Sequence, residues 1–548
     1  MEEFELDPKK QKLIWDNEHI TFKIEKRFGK AFLAALLKRD DVRLQSFLLG
    51  DFQGKVIASR KGTTRQKAPL VETRLSAQSE GTRNVEGEGL VATLLETLAP
   101  FANVERKMLR VLKIQQDAQT KNRWKTKVLL GFVGSDKDGN RLLHQSEHWM
   151  ECQFDEEKVI DSPALIRRWE TEYEVLRQCA GRLLEEVTET YNLSSVGLID
   201  NWDLEPTEVW QNRLQFAVED YNKDGFLDIA VSALGQKPLL LESIQGKRFE
   251  NVAAKKGLTK KSSFGKIDYV AGWLDYDNDG YPDLVMNGRL YHNLSGERFE
   301  DVTTQSGLVF DRECMGCTVV DYDCDGRLDL YVLYQRDYKG PPAKQEKWVD
   351  DEESGQFNQL WRNEGNGKFR NVTKEANAGG GKRHTHAATW LFYDDDHYPD
   401  VYIANDFGRN VLLRNRGDGT FEDISSKSGA ASFATSMGVA SGDVDNDGRT
   451  DLYVANMFSK MGRRIIGQLC DEDYPTDVFS QIQGSCAGSQ LYLRPTGQTK
   501  YTEDSVSFGV NKVGWAYGPA MFDLDGDSWL DLYATTGFMS FTPGEADG

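Results

Sequence analysis

From about residue 211 onward, apolar and polar positions alternate in bursts of four to six residues closed by Gly, Asp or Asn. Runs such as Leu227-Asp-Ile-Ala-Val231 and Leu328-Asp-Leu-Tyr-Val332 have the length and the β-branched or aromatic content of strands, with turn residues around them. Other phrases recur at similar offsets. A small-residue run precedes, as in Ala271-Gly-Trp-Leu274 and Met437-Gly-Val-Ala-Ser-Gly442. Leu290-Tyr-His-Asn293, Leu360-Trp-Arg-Asn363 and Leu412-Leu-Arg-Asn415 follow, then Arg298-Phe-Glu-Asp-Val302, Lys368-Phe-Arg-Asn-Val372 and Thr420-Phe-Glu-Asp-Ile424. The pattern predicts four short strands per repeat, with two insertions at roughly 336–356 and 457–488. So small a unit cannot bury both faces of its own sheet. Radial stacking of such units solves this and predicts a β-propeller of six to seven four-stranded blades over 211–548, the last blade holding only two of its strands. The segment 194–212 is a candidate to close the ring, and the repeated aromatics fill the space between blades.

The first part of the chain lacks this repeat. Phe28, Phe32, Leu33, Leu36 and Leu37 recur at helical spacing, so Ile20 to Phe52 reads as helix, broken at Arg39-Asp-Asp-Val42. Trp124–Phe132 and Arg141–Phe154 alternate and are joined by Gly134-Ser-Asp-Lys-Asp-Gly139, which predicts a hairpin. His144 and His148 share one face of that hairpin by their even spacing, where packing explains them better than chemistry. Leu165, Trp169, Tyr173, Leu176 and Leu183 predict an amphipathic helix over 163–192. The expected division is an α+β domain over 1–160, a helical linker and ring-closing segment over 161–210, and the propeller over 211–548.

One nine-residue pattern carries the candidate chemistry. It places carboxylates at alternate positions around a sharp turn, which suits a hard cation. Calcium takes six to eight oxygens at about 2.3–2.6 Å, and Gly at position six permits the turn. The copies offer Asp220, Asn222, Asp224, the carbonyl of Phe226 and Asp228; then Asp275, Asp277, Asp279, Tyr281 and Asp283; then Asp321, Asp323, Asp325, Arg327 and Asp329. The fifth offers Asp443, Asp445, Asp447, Arg449 and Asp451, and the sixth Asp523, Asp525, Asp527, Trp529 and Asp531. The fourth keeps only Asp394, Asp396 and Asp400, with Phe392 at position one and His397 at position six. About five calcium sites are expected, the fourth loop being the weakest or none. Position twelve is Val231, Met286, Val332, Val454 and Ala534 in the intact copies, so these are not EF-hands.

These loops, with the Leu-Tyr-Arg-Asn and Gly-x-Phe-x-Asp-Val-Thr phrases, resemble FG-GAP/VCBS repeat proteins. The nearest group is that of cartilage acidic protein and its bacterial ASPIC/UnbV relatives, and the likeness spans roughly 210–540. It implies an integrin-α-like propeller, secreted or surface-exposed, used for binding. The helices and long antiparallel strands of the first region resemble an NTF2/SnoaL-like cone, with no specific motif.

The net charge is −20, and 22 of the carboxylates sit in the loops, where they repel one another unless a cation is bound. No basic stripe suits nucleic acid, and no long apolar run suits a membrane span. Met1-Glu-Glu-Phe-Glu-Leu is not a signal peptide; low-affinity calcium loops nevertheless suit surroundings where calcium is millimolar, so a mature secreted, periplasmic or surface protein is expected. Cys314-Met-Gly-Cys317 fills the slot of Ser436-Met-Gly-Val439 and reads as core, while Cys470 and Cys486 are placed to cross-link the second insertion. No nucleophile-elbow, HExxH, Rossmann or P-loop signature is present. The leading reading is therefore a non-catalytic calcium-binding protein that holds a protein or glycan partner through propeller loops, anchored by Tyr338, Trp348 and Met457–Arg464. The alternative is a carbohydrate-active or small-molecule enzyme using a propeller groove or the N-terminal cone. For it, His384-Thr-His386 with His397 is the candidate cluster.

Overall fold

The computed structural model describes residues 6–197 and 214–537, apart from 68, 118, 121, 154–164, 182, 183, 234–236, 261–269, 311–313, 336–354 and 407. It divides into two compact units, 1–186 with 460–475 and 187–459 with 476–548.

In the first unit, helix Pro8–Lys23 starts where the Asp7 carboxylate accepts the N–H groups of Lys9 and Lys10. It continues through a π-turn, Ile24–Phe28, into helix Gly29–Leu37. The break expected at Arg39 is present: Arg39 has φ 53°, and Asp40 caps a short helix, Asp41–Gln45. The helical reading fails beyond it, because Leu48–Ile57 is a strand. Strands Arg123–Ser135 and Arg141–Gln153 form the expected hairpin, with Phe132 opposite His144.

The helix expected over 163–192 is a correction. Ile166–Cys179 is a strand, paired with Arg141–Gln153, with Leu70–Ser76 and, in parallel, with Leu48–Ile57. Leu165, Trp169, Tyr173 and Leu176 recur every three to four residues, yet Ile166, Thr171 and Val175 suit a strand, and pairing on both edges decides the matter. The interior of the unit joins Phe28, Phe32, Leu36, Leu94, Phe132, Met150 and Trp169.

The second unit is a series of small antiparallel sheets. Five are four-stranded: 214–251, 271–301, 314–371, 384–423 and 436–503, called here sheets one to five. A sixth has two strands, Ala516–Phe522 and Asp531–Thr536, and a short ribbon pairs Gly408–Arg409 with Phe433–Ala434. The first strand of each sheet lies beside the first strand of the next. Between successive sheets lies an apolar layer, such as Tyr221, Leu240, Leu284 and Phe299, or Tyr322, Leu333, Val401 and Phe421. The aromatic positions are indeed packing. Tyr331, Tyr402 and Tyr453 stand at one register of the second strand, are fully buried, and donate to the carbonyls of Ala378, Ala430 and Val510 at 2.7, 2.6 and 2.9 Å. The equivalent Tyr533 of sheet six is 47% exposed. The protein is therefore mainly β, built of many small antiparallel sheets.

Candidate metal centre

The nine-residue loops join the first and second strands of each sheet, and their geometry follows from their side chains. At position one, an Asp carboxylate bridges the turn. In the second loop Asp275 accepts the N–H of Asp279 at 3.1 Å and of Gly280 at 2.9 Å. Asp321 and Asp443 repeat this with Asp325 and Gly326, and with Asp447 and Gly448. Positions four and six take the left-handed conformation, with φ 57° and 89° at Asn278 and Gly280. In the sixth loop Gly526 takes position four and Ser528, at φ 67°, takes position six.

Position nine ties the loop to the sheet. One oxygen of Asp283 accepts the N–H of Tyr276, and the other that of Asn293 on the third strand at 2.7 Å. Asp329, Asp400 and Asp451 make the same pair of bonds. These carboxylates are fully buried, and burial pushes Asp228, Asp329 and Asp400 up to about 7, Asp283 to about 8 and Asp451 to about 6.

Carboxylate oxygens converge in four of the loops. Asp275, Asp277 and Asp283 have ligand atoms within 4.8 Å of one another, and so do Asp321, Asp323 and Asp325; Asp443, Asp445 and Asp451; and Asp523, Asp525 and Asp527. Burial also raises the carboxyls of Asp277, Asp323 and Asp445 at position three. One oxygen each of Asp323, Asp445 and Asp228 is buried with no hydrogen-bond partner. A buried, unpaired carboxylate oxygen is costly, and a cation at the centre of the loop would satisfy it. The donor set is all oxygen, which fits calcium.

The fourth loop differs. Phe392 is half exposed and brings no carboxylate, and neither Asp395 nor His397 takes the left-handed conformation that positions four and six have elsewhere. Asp394 pairs with Arg414, and Asp395 with Arg449 of the next loop. In the first loop Asp220 bridges to Asp224 and Gly225 in the usual way, with Asn222 in the third place.

Sequence reasoning overlooked the third-strand residues that reach into the loops: His292 beside Asp277, Arg362 beside Asp323 and Arg414 beside Asp394. The signal was there, since each directly precedes the Asn of the Leu-x-x-Asn phrase.

The other candidates fare differently. His384 and His386 open the strand whose far end leads to His397, so the three do not form one cluster. His386 lies beside Gln335 and 3.7 Å from Asp406. None of the seven cysteines is in a disulfide, Cys470 and Cys486 included. Burial pushes the Cys317 thiol up to about 12, which suits packing and not reactivity. His144 and His148 are both buried. His148 bonds Thr171 and Ser146, and His144 lies 3.7 Å from Glu174, which Arg60 also meets. Of the expected partner anchors, Tyr338 and Trp348 lie outside the described residues. Arg464 is a correction: it is buried in the first unit, donating to Val111 O at 2.6 Å and pairing with Glu18 and Glu25. Met457 is buried too. Among the described residues, no helix is long and apolar enough to cross a membrane.

The FG-GAP-like repeat model matches residues 275–332 and 393–454. Cartilage acidic protein 1 of Xenopus tropicalis is 40% identical over 171 residues, covering 25% of this chain and 26% of that protein. The Homo sapiens protein of the same name is 25% identical over the same length and shares. The match thus spans about a quarter of these curated relatives. The biofilm matrix protein Bap1 of V. cholerae aligns with 74% of this chain and 71% of its own at 10% identity and TM-score 0.29, too distant to bear on fold or function. The chain carries FG-GAP-like repeats and, over that segment, resembles cartilage acidic protein 1.

Proposed function

We propose that this is a calcium-binding interaction protein of the extracellular space or cell envelope, without catalytic activity of its own. The observation that carries the reading is the repeated loop whose buried carboxylate oxygens lack partners. Calcium would be held by the Asp residues of loops one, two, three, five and six, with carbonyls of Phe226, Tyr281, Arg327, Arg449 and Trp529 completing the shell. Bound calcium supplies charge neutralisation and rigidity. The chain's own residues hold the loops in shape and present the surrounding turns to a protein or glycan.

The six sheets would close as an integrin-α-like propeller of six to seven blades. Two apolar faces support closure. Phe216 and Val218 are exposed on sheet one, on the face that Val231 and Ile229 share, and Phe522 and Tyr533 are exposed on sheet six. Both resemble faces that are covered between the inner sheets.

Thermal unfolding of the full chain in excess calcium and in excess chelator tests the reading. A ligand confined to the folded state adds about 2.7 kcal/mol at a hundredfold excess over its Kd, so chelation is expected to lower Tm by several degrees. Superimposable melting curves would end the calcium reading.

A further inference from the structure

The third strand of sheets two, three and four aims one side chain at the loop of its own repeat. The position is fixed by register, directly before the Asn whose N–H donates to the position-nine carboxylate. In sheet three it is Arg362, with Nε 2.7 Å from Asp323 and a terminal nitrogen 3.2 Å from Asp325. In sheet four it is Arg414, against Asp394 and 3.6 Å from Asp396. Glu242 and Leu493 hold the place in sheets one and five. Sheet two alone places an imidazole there. His292 Nε2 lies 3.1 Å from Asp277 Oδ2 and 3.8 Å from Asp279 Oδ2.

This difference in residue type changes what the loop can hold. A guanidinium can only neutralise these carboxylates, whereas an imidazole nitrogen can ligate a metal. The His292 side chain is 23% exposed, but its Nε2 is turned inward, where it meets the Asp277 and Asp279 carboxylates without an aligned hydrogen bond, and Tyr276 packs edge-on against the ring at 5.8 Å. Asp277, Asp279 and His292 bring one ligand atom each within 4.8 Å of one another. Ligands bound at about 2.0–2.1 Å around a tetrahedral zinc stand roughly 3.3 Å apart, which the two observed separations bracket. Nitrogen with carboxylate oxygen is a donor set for Zn2+ and its first-row neighbours, while calcium takes oxygen alone.

We propose that the second loop is a transition-metal site, formed by Asp277, Asp279 and His292, on which zinc competes with calcium for Asp277. The proposal rests on the reading of the Asp loops as cation sites and gives this one a second, competing ion. The test titrates the metal-free full chain with Zn2+ by calorimetry, and with Co2+ by visible absorption as a spectroscopic stand-in. Three chains are compared: the wild type, His292→Arg, which installs the side chain that sheets three and four carry, and a control altered at two part-buried histidines of sheet four, His384→Gln with His386→Gln. The expected result is one tight site whose affinity falls at least tenfold in His292→Arg and is unchanged in the control, with folding of each chain checked by Tm. A His292→Gln chain repeats the loss if the arginine variant misfolds. Zinc affinity that survives both substitutions, or a wild type with no such site, overturns the proposal and leaves His292 as a stand-in for the arginines. A chain that takes zinc at His292 yet gains no stability from calcium overturns the calcium reading and supports this one.

Discussion

Single side chains decide how each loop is charged. Arg362 occupies the carboxylates of the third loop as a resident cation, so a calcium ion bound there as proposed would share them with it or displace it. A part-exposed ion pair of this kind is worth roughly 0.2–1 kcal/mol. Arg362→Leu is therefore expected to raise calcium affinity at this loop about threefold, read by calorimetry at low salt, where the competing pair is strongest. An unchanged affinity would show that Arg362 does not compete. The tyrosines make a second residue-scale test. Tyr331 donates a buried hydrogen bond to Ala378 O, so Tyr331→Phe is expected to cost about 1 kcal/mol in a denaturant titration. Tyr533→Phe, on the face that the proposed ring closure covers, is expected to cost a similar amount, although Tyr533 is half exposed here. A loss from Tyr331→Phe with none from Tyr533→Phe would mean that this face stays open in solution and that the ring does not close.

At the scale of the element, successive loops touch. Asn278 Nδ2 donates to Gly326 O at 3.0 Å, and Asn446 Nδ2 to Ser528 O at 3.2 Å, while Arg449 pairs with Asp395. In both amide contacts, position four of one loop holds position six of the next. Ordering one loop therefore orders part of its neighbour before that neighbour meets a cation. Asn278→Ala is expected to weaken calcium binding at loop three by a few-fold although loop three itself is unaltered, and to flatten the binding isotherm. An isotherm identical to the wild type would show that the loops fill independently. In the first unit the decisive element is strand Ile166–Cys179. Its helical periodicity gave way to pairing on both of its edges, because a strand between two partners satisfies its backbone groups over its whole length.

At the scale of the molecule, the two compact units do not follow a single cut in the chain. Lys460–Pro475 belongs with the N-terminal unit, where Arg464 is buried between Glu18 and Glu25. Deleting 457–488 would therefore strip part of that unit, and such a deletion does not isolate a partner-binding surface. The first unit also has its own acid sensitivity. His148 is buried against Trp169, and burial pushes it from 6.5 down to about 3, with Glu174 raising it and His144 lowering it. Arg60 balances Glu174. The unfolded chain takes up this proton below about 6.5 and the folded one does not. Stability is thus complete above that pH and falls as pH drops toward about 3, by up to roughly 1.4 kcal/mol per pH unit. Glu174 acts in the same direction, because its folded carboxyl is held below its ordinary value. Hydrogen exchange over 141–153 and 166–179, corrected for the intrinsic rate, is expected to lose protection across that window in the wild type and to lose less in His148→Gln. Equal loss in both would assign the acid sensitivity elsewhere.

What lay within a short stretch of chain was legible without the structure. A nine-residue loop is closed by its own Asp carboxylates and its own left-handed positions, so Asp275 through Asp283 already specified the turn. The strands on either side followed from alternation and length. The departure of the fourth loop from the pattern could be read from Phe392 and His397, and its backbone differs accordingly: neither Asp395 nor His397 takes the left-handed conformation, which Ser528 reaches in the sixth loop without being Gly. What depended on distant partners could not be read this way. Trp169 and Leu176, seven residues apart, share a face of a helix, and they share a face of the strand only through the bulge at Glu172 that pairing with the hairpin brings. Arg464 looked like a surface anchor until Glu18 and Val111, hundreds of residues earlier, surrounded it. His292 and Arg362 became neighbours of the loop carboxylates only because the third strand pairs in register with the second. Local turn chemistry is encoded where it acts, whereas pairing, burial and the approach of one side chain to another charge exist only once the chain has folded back on itself.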